Sequence, residues 1–483
     1  MKKKGFVISC ILLLGLQLSA QTTYPSLNIN LLAHIQPETD NTGYGGRKYS
    51  GCWGWYQANK NREYALVGTS AKTYFIDVTD PHNPVICDSV MAAHAGCTWR
   101  EIKNYQNYCY IVSDDVPPNT FQIVDMQYLP DSVHVIHNGT TYFERCHTIF
   151  VDQNRLYCGG PTPAGGAGTP TESMRVYSLA NPANPVLLRK LSQDVPSITY
   201  VHDMYVRNDT VYASCGNQGF FILKFNPVTN TFSQMQSVTG YPYSGYNHSS
   251  WQTDDRKTMV FADEVPAGLP AKVIDVSDFN NITVVDTIRS HLKATAHNPY
   301  IMNNKWCWMS TYQDGLYLYD ISSPSNTTIH GYFDTYPQHG TNDNFSGDAY
   351  SGNWGAYPYL PSEIIIACDM QNGIFILEGD YDYKVTVGLD KSAGKISKAA
   401  NVSVWPNPAS ESCMLMVANP GNRRLEYHIT NVSGQTVLSG ILTATNELLL
   451  KANLDVSGLG SGCYFITVRG DAINETQKLI IQN

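Results

Sequence analysis

The stretch YVHDMYVRNDTVYASCGNQGFFILKFNP, Tyr200–Pro227, contains short apolar runs separated by turn residues, with a histidine before the first run. Runs of Tyr, Val, Ile and Phe broken by Asn, Asp and Gly are typical of strands joined by hairpins. The same arrangement recurs along the chain at a spacing of about 50 residues. Six further units begin at Tyr64, Cys109, Leu156, Met259, Cys307 and Ile364.

The repeat predicts a seven-bladed β-propeller, because four strands in about 50 residues are typical of one propeller blade. The seventh unit ends at GIFILEGD, with no fourth strand after it. Near the N-terminus, LNINLLAHI (Leu27–Ile35) reads as a strand without a blade of its own. We expect this strand to complete the seventh blade and close the ring, which covers two otherwise exposed sheet edges.

The two ends of the chain differ from the repeats. Residues 1–20 have a basic start, an apolar stretch and a small-residue end, which predicts a signal peptide cleaved before Gln21. A membrane anchor is disfavoured because the apolar stretch is short, and a lipoprotein is disfavoured because most of that stretch follows Cys10. We therefore assign the propeller to residues 21–383, a linker to 384–400, and a small all-β sandwich to 401–483.

Composition excludes some classes of partner. The net charge is −9, and loss of the three lysines in residues 1–20 makes it −12. Nucleic acid and anionic lipid both require a basic surface, so neither is an expected partner. No later segment is apolar enough to span a bilayer, so no transmembrane segment is expected. The twelve cysteines include no CxxC pair, which argues against a zinc ribbon; Cys413 and Cys463 are a candidate disulfide.

Histidines recur at one position of the repeat, just before the first strand of a unit. They are His94, His147, His202, His248 and His297. The first strand of a propeller blade lines the central channel, so these side chains are expected to form a ring at the channel mouth. Neutral imidazole is a common ligand of zinc, copper and iron. The alternative is that each histidine only caps its strand.

Further side chains near the same position are candidates for the site. The carboxylates of Glu101, Asp203 and Glu264 are candidates for proton transfer. The candidate ligand-binding residues at the channel mouth are Trp53, Trp99, Arg100, Trp251, Asp263 and Trp354. For each tryptophan, the alternative is ordinary packing between blades.

The tail resembles a known sorting domain. The matching pieces are PNP (Pro406–Pro408), NVSGQTV (Asn431–Val437), LDVSGLGSGCYFITV and the terminal QKLII. They are similar to the type A C-terminal sorting domain of the Bacteroidetes type IX secretion system. The resemblance implies export, handling by the type IX machinery, and a final location at the outer-membrane surface or outside the cell.

Residues from about 27 to 380 resemble the choice-of-anchor B family, which is built from LVIVD-type repeats. The pieces that carry the resemblance include CTWREIKNYQNYCYIVSD and NHSSWQTDDRKTMVFADE. The family implies an extracellular propeller and does not define a reaction. More distantly, the histidines resemble those of the selenium-binding-protein and methanethiol-oxidase propellers, which bind metal; this is a likeness of architecture only.

Two functional hypotheses follow. In the first, the chain is a secreted or cell-surface binding module whose channel mouth or rim takes an extracellular ligand, glycan or protein. In the second, it is an extracellular metalloenzyme, an oxidoreductase or a hydrolase, with zinc, copper or iron on the channel histidines. A third role for a metal is to hold the blades together without chemistry. Metal that survives purification would favour the second hypothesis over the first.

Overall fold

A computed structural model describes most of the chain. The described residues are 24–115, 117–165, 172–339, 350–381, 402–405, 407–418, 423–432, 434–444, 449–470 and 473–482. The chain divides into two compact units, Met1–Val387 and Gly388–Asn483. The predicted signal peptide and the linker at 384–400 lie outside the described residues, and the predicted domain boundaries stay predictions.

Within the described residues, the first unit contains seven antiparallel sheets, the blades of a propeller, in which the first strand named is the innermost. Blade 1 is Tyr49–Gln57, Arg62–Thr69, Lys72–Asp77 and Val85–Met91. Blade 2 is Arg100–Tyr105, Tyr108–Ser113, Phe121–Asp125 and His134–Gly139. Blade 3 is Thr148–Asp152, Arg155–Gly159, Met174–Ser178 and Val186–Lys190. Blade 4 is Asp203–Arg207, Thr210–Ser214, Phe220–Asn226 and Thr231–Val238.

The remaining blades include two strands from the N-terminus. Blade 5 is Asn247–Gln252, Thr258–Asp263, Ala271–Asp275 and Thr283–Ile288. Blade 6 is Pro299–Met302, Trp306–Ser310, Leu316–Asp320, Thr328–Phe333 and, outermost, Ser26–Leu27. Blade 7 is Asn353–Tyr357, Ile365–Asp369, Gly373–Gly379 and, outermost, Ile29–Ile35. Short 3-10 turns occur at Tyr44–Gly46, Leu191–Gln193 and Pro337–His339.

The seven-bladed propeller and its closure by the N-terminal strand are confirmed. Neighbouring blades contact one another in order through their inner strands, and blade 7 contacts blade 1, so the ring is complete. The predicted strand at Leu27–Ile35 is divided in two, however. Asn28 has a left-handed backbone, with φ of 55°, and its side chain donates a 2.8 Å hydrogen bond to the His330 carbonyl oxygen. The strand segments before and after Asn28 therefore join different blades, blade 6 and blade 7.

The opening stretch folds as its pattern predicts. In blade 4 the first hairpin turns at Asn208 and Asp209, which both have positive φ, as the tightest β-hairpin turns require. The two strands that flank this turn bury apolar side chains, such as Met204 on the first and Val211 on the second. Middle strands such as Tyr108–Ser113 and Phe121–Asp125 are buried almost throughout, because neighbouring blades cover both faces. Outer strands are half-exposed, as Val186–Lys190 is in blade 3.

Aromatic side chains fill the channel along its inner strands. Trp251, three residues beyond His248 on its strand, stacks on Tyr359 at 5.4 Å and lies 4.9 Å from the Tyr205 ring. On blade 1, Trp53 lies 4.7 Å from the Tyr357 ring. Three residues of strand span about 10 Å, so this aromatic plug lies well below the level of the histidines.

The second unit is a small sandwich of two antiparallel sheets. One sheet contains Val402–Trp405, Ser412–Ala418 and Leu449–Asp455. The other contains Thr436–Ala444, Arg423–Asn431, Gly462–Gly470 and Ile473–Ile481. The candidate disulfide is not formed, since Cys413 and Cys463 are both free thiols. No helix among the described residues is long and apolar enough to cross a membrane.

Candidate metal centre

Four of the five predicted histidines form a continuous arc across blades 3 to 6. His147 and His202 directly precede the innermost strands of their blades, His248 is the second residue of its strand, and His297 lies two residues before its strand. The ring centroids of successive histidines are 4.0, 4.5 and 4.3 Å apart. The side chains of His202, His248 and His297 are less than a tenth exposed.

The fifth predicted histidine does not share this position. The innermost strand of blade 2 begins at Arg100, so Trp99 occupies the place that His147 has in blade 3. His94 lies six residues before that strand, and its Nδ1 is 2.6 Å from the carbonyl oxygen of Ala95. The prediction that His94 belongs to the ring is therefore wrong, because the connection from blade 1 is longer than the spacing suggested.

The outward-facing nitrogens of three imidazoles are held by fixed partners. His147 Nδ1 contacts the Asp114 carboxylate, and His297 Nδ1 donates a 2.6 Å hydrogen bond to the Trp354 carbonyl oxygen. His202 Nδ1 lies 3.3 Å from the Tyr200 hydroxyl and 3.1 Å from the Tyr246 hydroxyl. Such outer contacts orient histidine rings around metal ions in proteins.

Tyr246 is itself fixed by close contact with backbone. A side chain at Gly216, which has φ of +57°, would meet the Tyr246 ring at 2.5 Å. Glycine is needed there because the backbone is left-handed and the phenol lies directly against it. The Tyr246 hydroxyl is thereby held beside His202 Nδ1.

The opposite nitrogens converge. His147 Nε2 and His202 Nε2 are 3.0 Å apart, and His248 Nε2 is 3.7 Å from a Glu264 carboxylate oxygen. Ligand atoms of His202, His248 and Glu264 all lie within 4.8 Å of one another. Within the described part of the chain, His297 Nε2 is buried without a hydrogen-bond partner. The other Glu264 oxygen accepts a 2.5 Å hydrogen bond from the Tyr312 hydroxyl.

Electrostatics keep most of these imidazoles neutral. Burial, reinforced by the neighbouring histidines, holds the pKa values of His202 and His297 well below the ordinary range. Burial also lowers the pKa of His248, although the Glu264 carboxylate acts in the opposite direction. For His147, burial would lower the pKa, but the Asp114 carboxylate raises it above the ordinary value. Neutral imidazoles carry the lone pair that binds a metal.

Asp114 is a member of the site that the sequence did not reveal. It is buried beside His147 and Arg145, and contacts both side chains. Burial opposes its ionisation, but His147 and Arg145 lower the pKa of Asp114 to about 2. The sequence analysis also missed Tyr200, Tyr246 and Tyr312. The Tyr-x-His spacing repeated at Tyr200 and Tyr246 is a signal that could have found two of them.

A small chamber lies between the histidines and the aromatic plug. Its volume is about 20 Å³, and His147, His248, His297, Trp99 and Trp354 border it together with the polar residues Glu101, Thr148, Asp203 and Asn298. That volume is enough for one water molecule. Glu101 pairs with Lys103, while burial and the Glu101 charge raise the pKa of Asp203 to about 6.

Of the other predicted site residues, three border the chamber and three lie away from it. Trp99 and Trp354 border the chamber, with their rings stacked at 5.0 Å. Trp53 and Trp251 lie in the aromatic plug, so the prediction that they wall the mouth is wrong. Arg100 contributes to the chamber wall, but its guanidinium is buried and donates to Thr73 and Gln122. Asp263 is fully buried and paired with Lys272 at 2.5 Å.

Comparison with known proteins bears on the tail. Residues 403–482 match the family described as the secretion system C-terminal sorting domain. The chain ends in a type IX sorting domain. The tail thus marks this propeller for secretion to the cell surface or the extracellular space. The resemblance of residues 27–380 to the choice-of-anchor B family rests on sequence motifs alone.

Similar solved structures include PorZ, described as an essential bacterial surface component of the type IX secretion system of Porphyromonas gingivalis. It is 11% identical, with a TM-score of 0.45, over 93% of this chain and 61% of that chain. The WD40 β-propeller domain of Doa1 is 9% identical, with a TM-score of 0.48, over 74% of this chain and 97% of that one. This chain thus spans about 61% of the length of PorZ. No curated protein matches it.

Proposed function

We propose that this exported propeller is a surface or secreted binding module that holds one transition-metal ion at its channel mouth. The ligands are the Nε2 atoms of His147, His202 and His248, with His297 as a fourth imidazole and Glu264 beside them. The observation that carries the proposal is the orientation of these rings. Outer partners hold Nδ1 of three of them, His147 Nε2 lies 3.0 Å from His202 Nε2, and ligand atoms of His202, His248 and Glu264 lie within 4.8 Å of one another.

The cost of the arrangement without an ion supports the proposal. Two neutral imidazoles can share one proton between facing Nε2 atoms, which accounts for His147 and His202 only. A buried polar atom without a partner costs about 1 to 3 kcal/mol, and His297 Nε2 is such an atom among the described residues. A cation bound at His297 Nε2 would offset that cost.

The donor set limits the identity of the ion. Imidazole suits zinc, copper, iron and nickel, while magnesium and calcium prefer sites built from oxygen alone. The four histidines come from one arc of the ring, blades 3 to 6, so no member of this arc lies on the opposite side of the ion. An extracellular ligand can coordinate there, and binding through the metal is the role we assign to the module.

A second candidate function, a metalloenzyme, is favoured by the chamber. It has room for one water molecule beside the histidines, and Asp203 and Glu101 border the same space. A metal ion acidifies a water molecule bound to it, and a neighbouring carboxylate would accept the proton. In this case the chain is a hydrolase with zinc, or an oxidoreductase with copper or iron.

The test is elemental analysis of the purified full chain beside two variants. One variant changes His147, His202 and His248 together to Ala, and the matched control changes only His94 to Ala. We expect near-stoichiometric metal in the natural chain and in the control, and none in the triple variant. Absence of metal from the natural chain, even after incubation with zinc, copper, iron and nickel salts, would overturn the metal site. Circular dichroism of each variant checks that it is folded.

A further inference from the structure

We propose that the ligand of this metal centre carries an aromatic ring next to its metal-coordinating group, and that it enters from the outer mouth of the channel. The inference rests on the proposed function, since it requires the metal. It assigns the class of ligand from the shape of the space around the ion and from the side chains that face the histidine arc.

The geometry leaves one route for an organic ligand. The aromatic plug around Trp251 fills the channel below the site. The chamber above the plug holds about 20 Å³, which admits a water molecule and excludes a ring. An organic ligand therefore reaches the ion from the outside, and only its coordinating atom approaches the histidines.

The side of the mouth opposite the histidines is aromatic. Trp354 lies 4.5 Å from the His297 ring and stacks on Trp99 at 5.0 Å, with 21° between the planes. At this level blade 1 has Ser50, whose hydroxyl accepts a 3.2 Å hydrogen bond from the Arg100 N–H, and Gly51, where a larger side chain would meet the Arg100 carbonyl oxygen at 2.2 Å. The two indoles therefore meet across blade 1 and continue the ring from blade 7 to blade 2.

Tyr44 extends this aromatic side outward. It is 69% exposed, and its backbone is anchored, because the N–H donates a 2.7 Å hydrogen bond to Thr98 Oγ1. The Arg47 guanidinium lies 5.2 Å from the Tyr44 ring centre and 5.8 Å from that of Trp99. An exposed phenol whose ring centre lies 6.3 Å from that of Trp99 offers a surface on which another aromatic ring packs favourably.

Two probes distinguish the contribution of the aromatic ring to binding from that of the metal-coordinating group. Acetohydroxamate and benzohydroxamate bind metal ions through the same oxygen atoms, and only the second carries an aromatic ring. We would measure the affinity of the metal-loaded full chain for each by isothermal titration calorimetry. The natural chain is expected to bind benzohydroxamate more tightly. Tyr44→Ala is expected to weaken that binding about threefold to tenfold and to leave acetohydroxamate binding unchanged.

A second variant keeps the test independent of Tyr44. Trp99→Leu should also weaken benzohydroxamate selectively, while the metal content, measured on the same samples, stays that of the natural chain. Equal affinity for the two probes in the natural chain, or loss of both probes together in Tyr44→Ala at full metal content, would overturn the ligand assignment. If the natural chain holds no metal, the proposed metal centre fails first, and the metal analysis identifies that failure separately.

Discussion

His147 Nε2 lies 3.0 Å from His202 Nε2, although the two residues belong to different blades. The Thr148 side chain joins the two blades beside this pair, because its Oγ1 donates a 2.7 Å hydrogen bond to the His202 carbonyl oxygen. Two imidazole nitrogens bound to one tetrahedral zinc at about 2.0 to 2.1 Å lie slightly more than 3 Å apart. The pair is therefore close to the geometry of a shared ion before any ion binds.

The metal is expected to stabilise the propeller against heat. A ligand that binds only the folded state adds about 2.7 kcal/mol at a concentration 100 times its Kd. Removing metal with a chelator should therefore lower the Tm of the propeller transition by several degrees, and returning it should restore the Tm. His202→Ala should abolish this response, as followed by differential scanning calorimetry. A Tm insensitive to metal in the natural chain would contradict the prediction.

Asp114→Asn should weaken metal binding while leaving every ligand in place. Partners that hold a ligand histidine typically contribute 10- to 100-fold to metal affinity, and Asp114 contacts His147 Nδ1. Competition with a chromophoric chelator measures the change. Asp314→Asn is the matched control, because Asp314 lies 2.7 Å from His291 Nδ1 in a pair outside the histidine arc. Equal affinities in the two variants would refute the role given to Asp114.

Closure of the ring by the N-terminal strand predicts that substitutions at two positions of this strand differ in their cost to stability. Ile29 is 1% exposed and Leu31 is 40% exposed on the same strand. Loss of a buried Ile side chain costs about 2 to 5 kcal/mol, so Ile29→Ala should lower the free energy of unfolding by that amount. Leu31→Ala should cost much less. Urea denaturation of both variants measures the two values, and equal costs would argue against closure through this strand.

Asp369 predicts a pH dependence of stability. Burial raises its pKa to about 7, although Thr335 and the Gln371 and Asn372 amides hydrogen-bond to it. Because the folded state favours the protonated form, the stabilisation is complete below about pH 4 and is lost as the pH rises through 7. The slope is about 1.4 kcal/mol per pH unit for one such group.

Asp369→Asn should remove this slope. The stability of the variant relative to the natural chain should rise between pH 4 and 7, as measured by urea denaturation at several pH values. Asp80→Asn is the control, because Asp80 is exposed and its pKa is lowered, which places its own effect at lower pH. A constant difference between the natural chain and Asp369→Asn across this range would contradict the assigned pKa.

The repeat was sufficient to predict the seven blades, because each blade is a local meander whose strands and turns follow one another in sequence. The closing strand followed from a blade with one strand missing. The split at Asn28 did not, since it depends on the distance between the outer edges of blades 6 and 7. The His94 assignment failed for a similar reason. The first residue of an inner strand is set by its pairing, as Arg100 is by Ser113, rather than by spacing.

The candidate site was predictable only where its residues share one position of the repeat. That condition holds for the four histidines and for Trp99 and Trp354. Asp114 follows the second strand of blade 2 and reaches His147 on blade 3, so no local pattern marks it. Trp53 and Trp251 are three residues along their strands from the histidine level. A one-dimensional pattern does not separate the mouth from the plug below it.

Extended X-ray absorption fine structure (EXAFS) of the bound metal would identify directly whether the channel histidines are its ligands. For the purified full chain, we expect three or four imidazole nitrogens at about 2.0 to 2.1 Å, if the ion is zinc, with any further ligands being oxygen. The triple variant at His147, His202 and His248 should lose this signal, and His94→Ala should keep it. A shell of sulfur ligands, or a histidine signal that survives in the triple variant, would rule out the proposed histidine site.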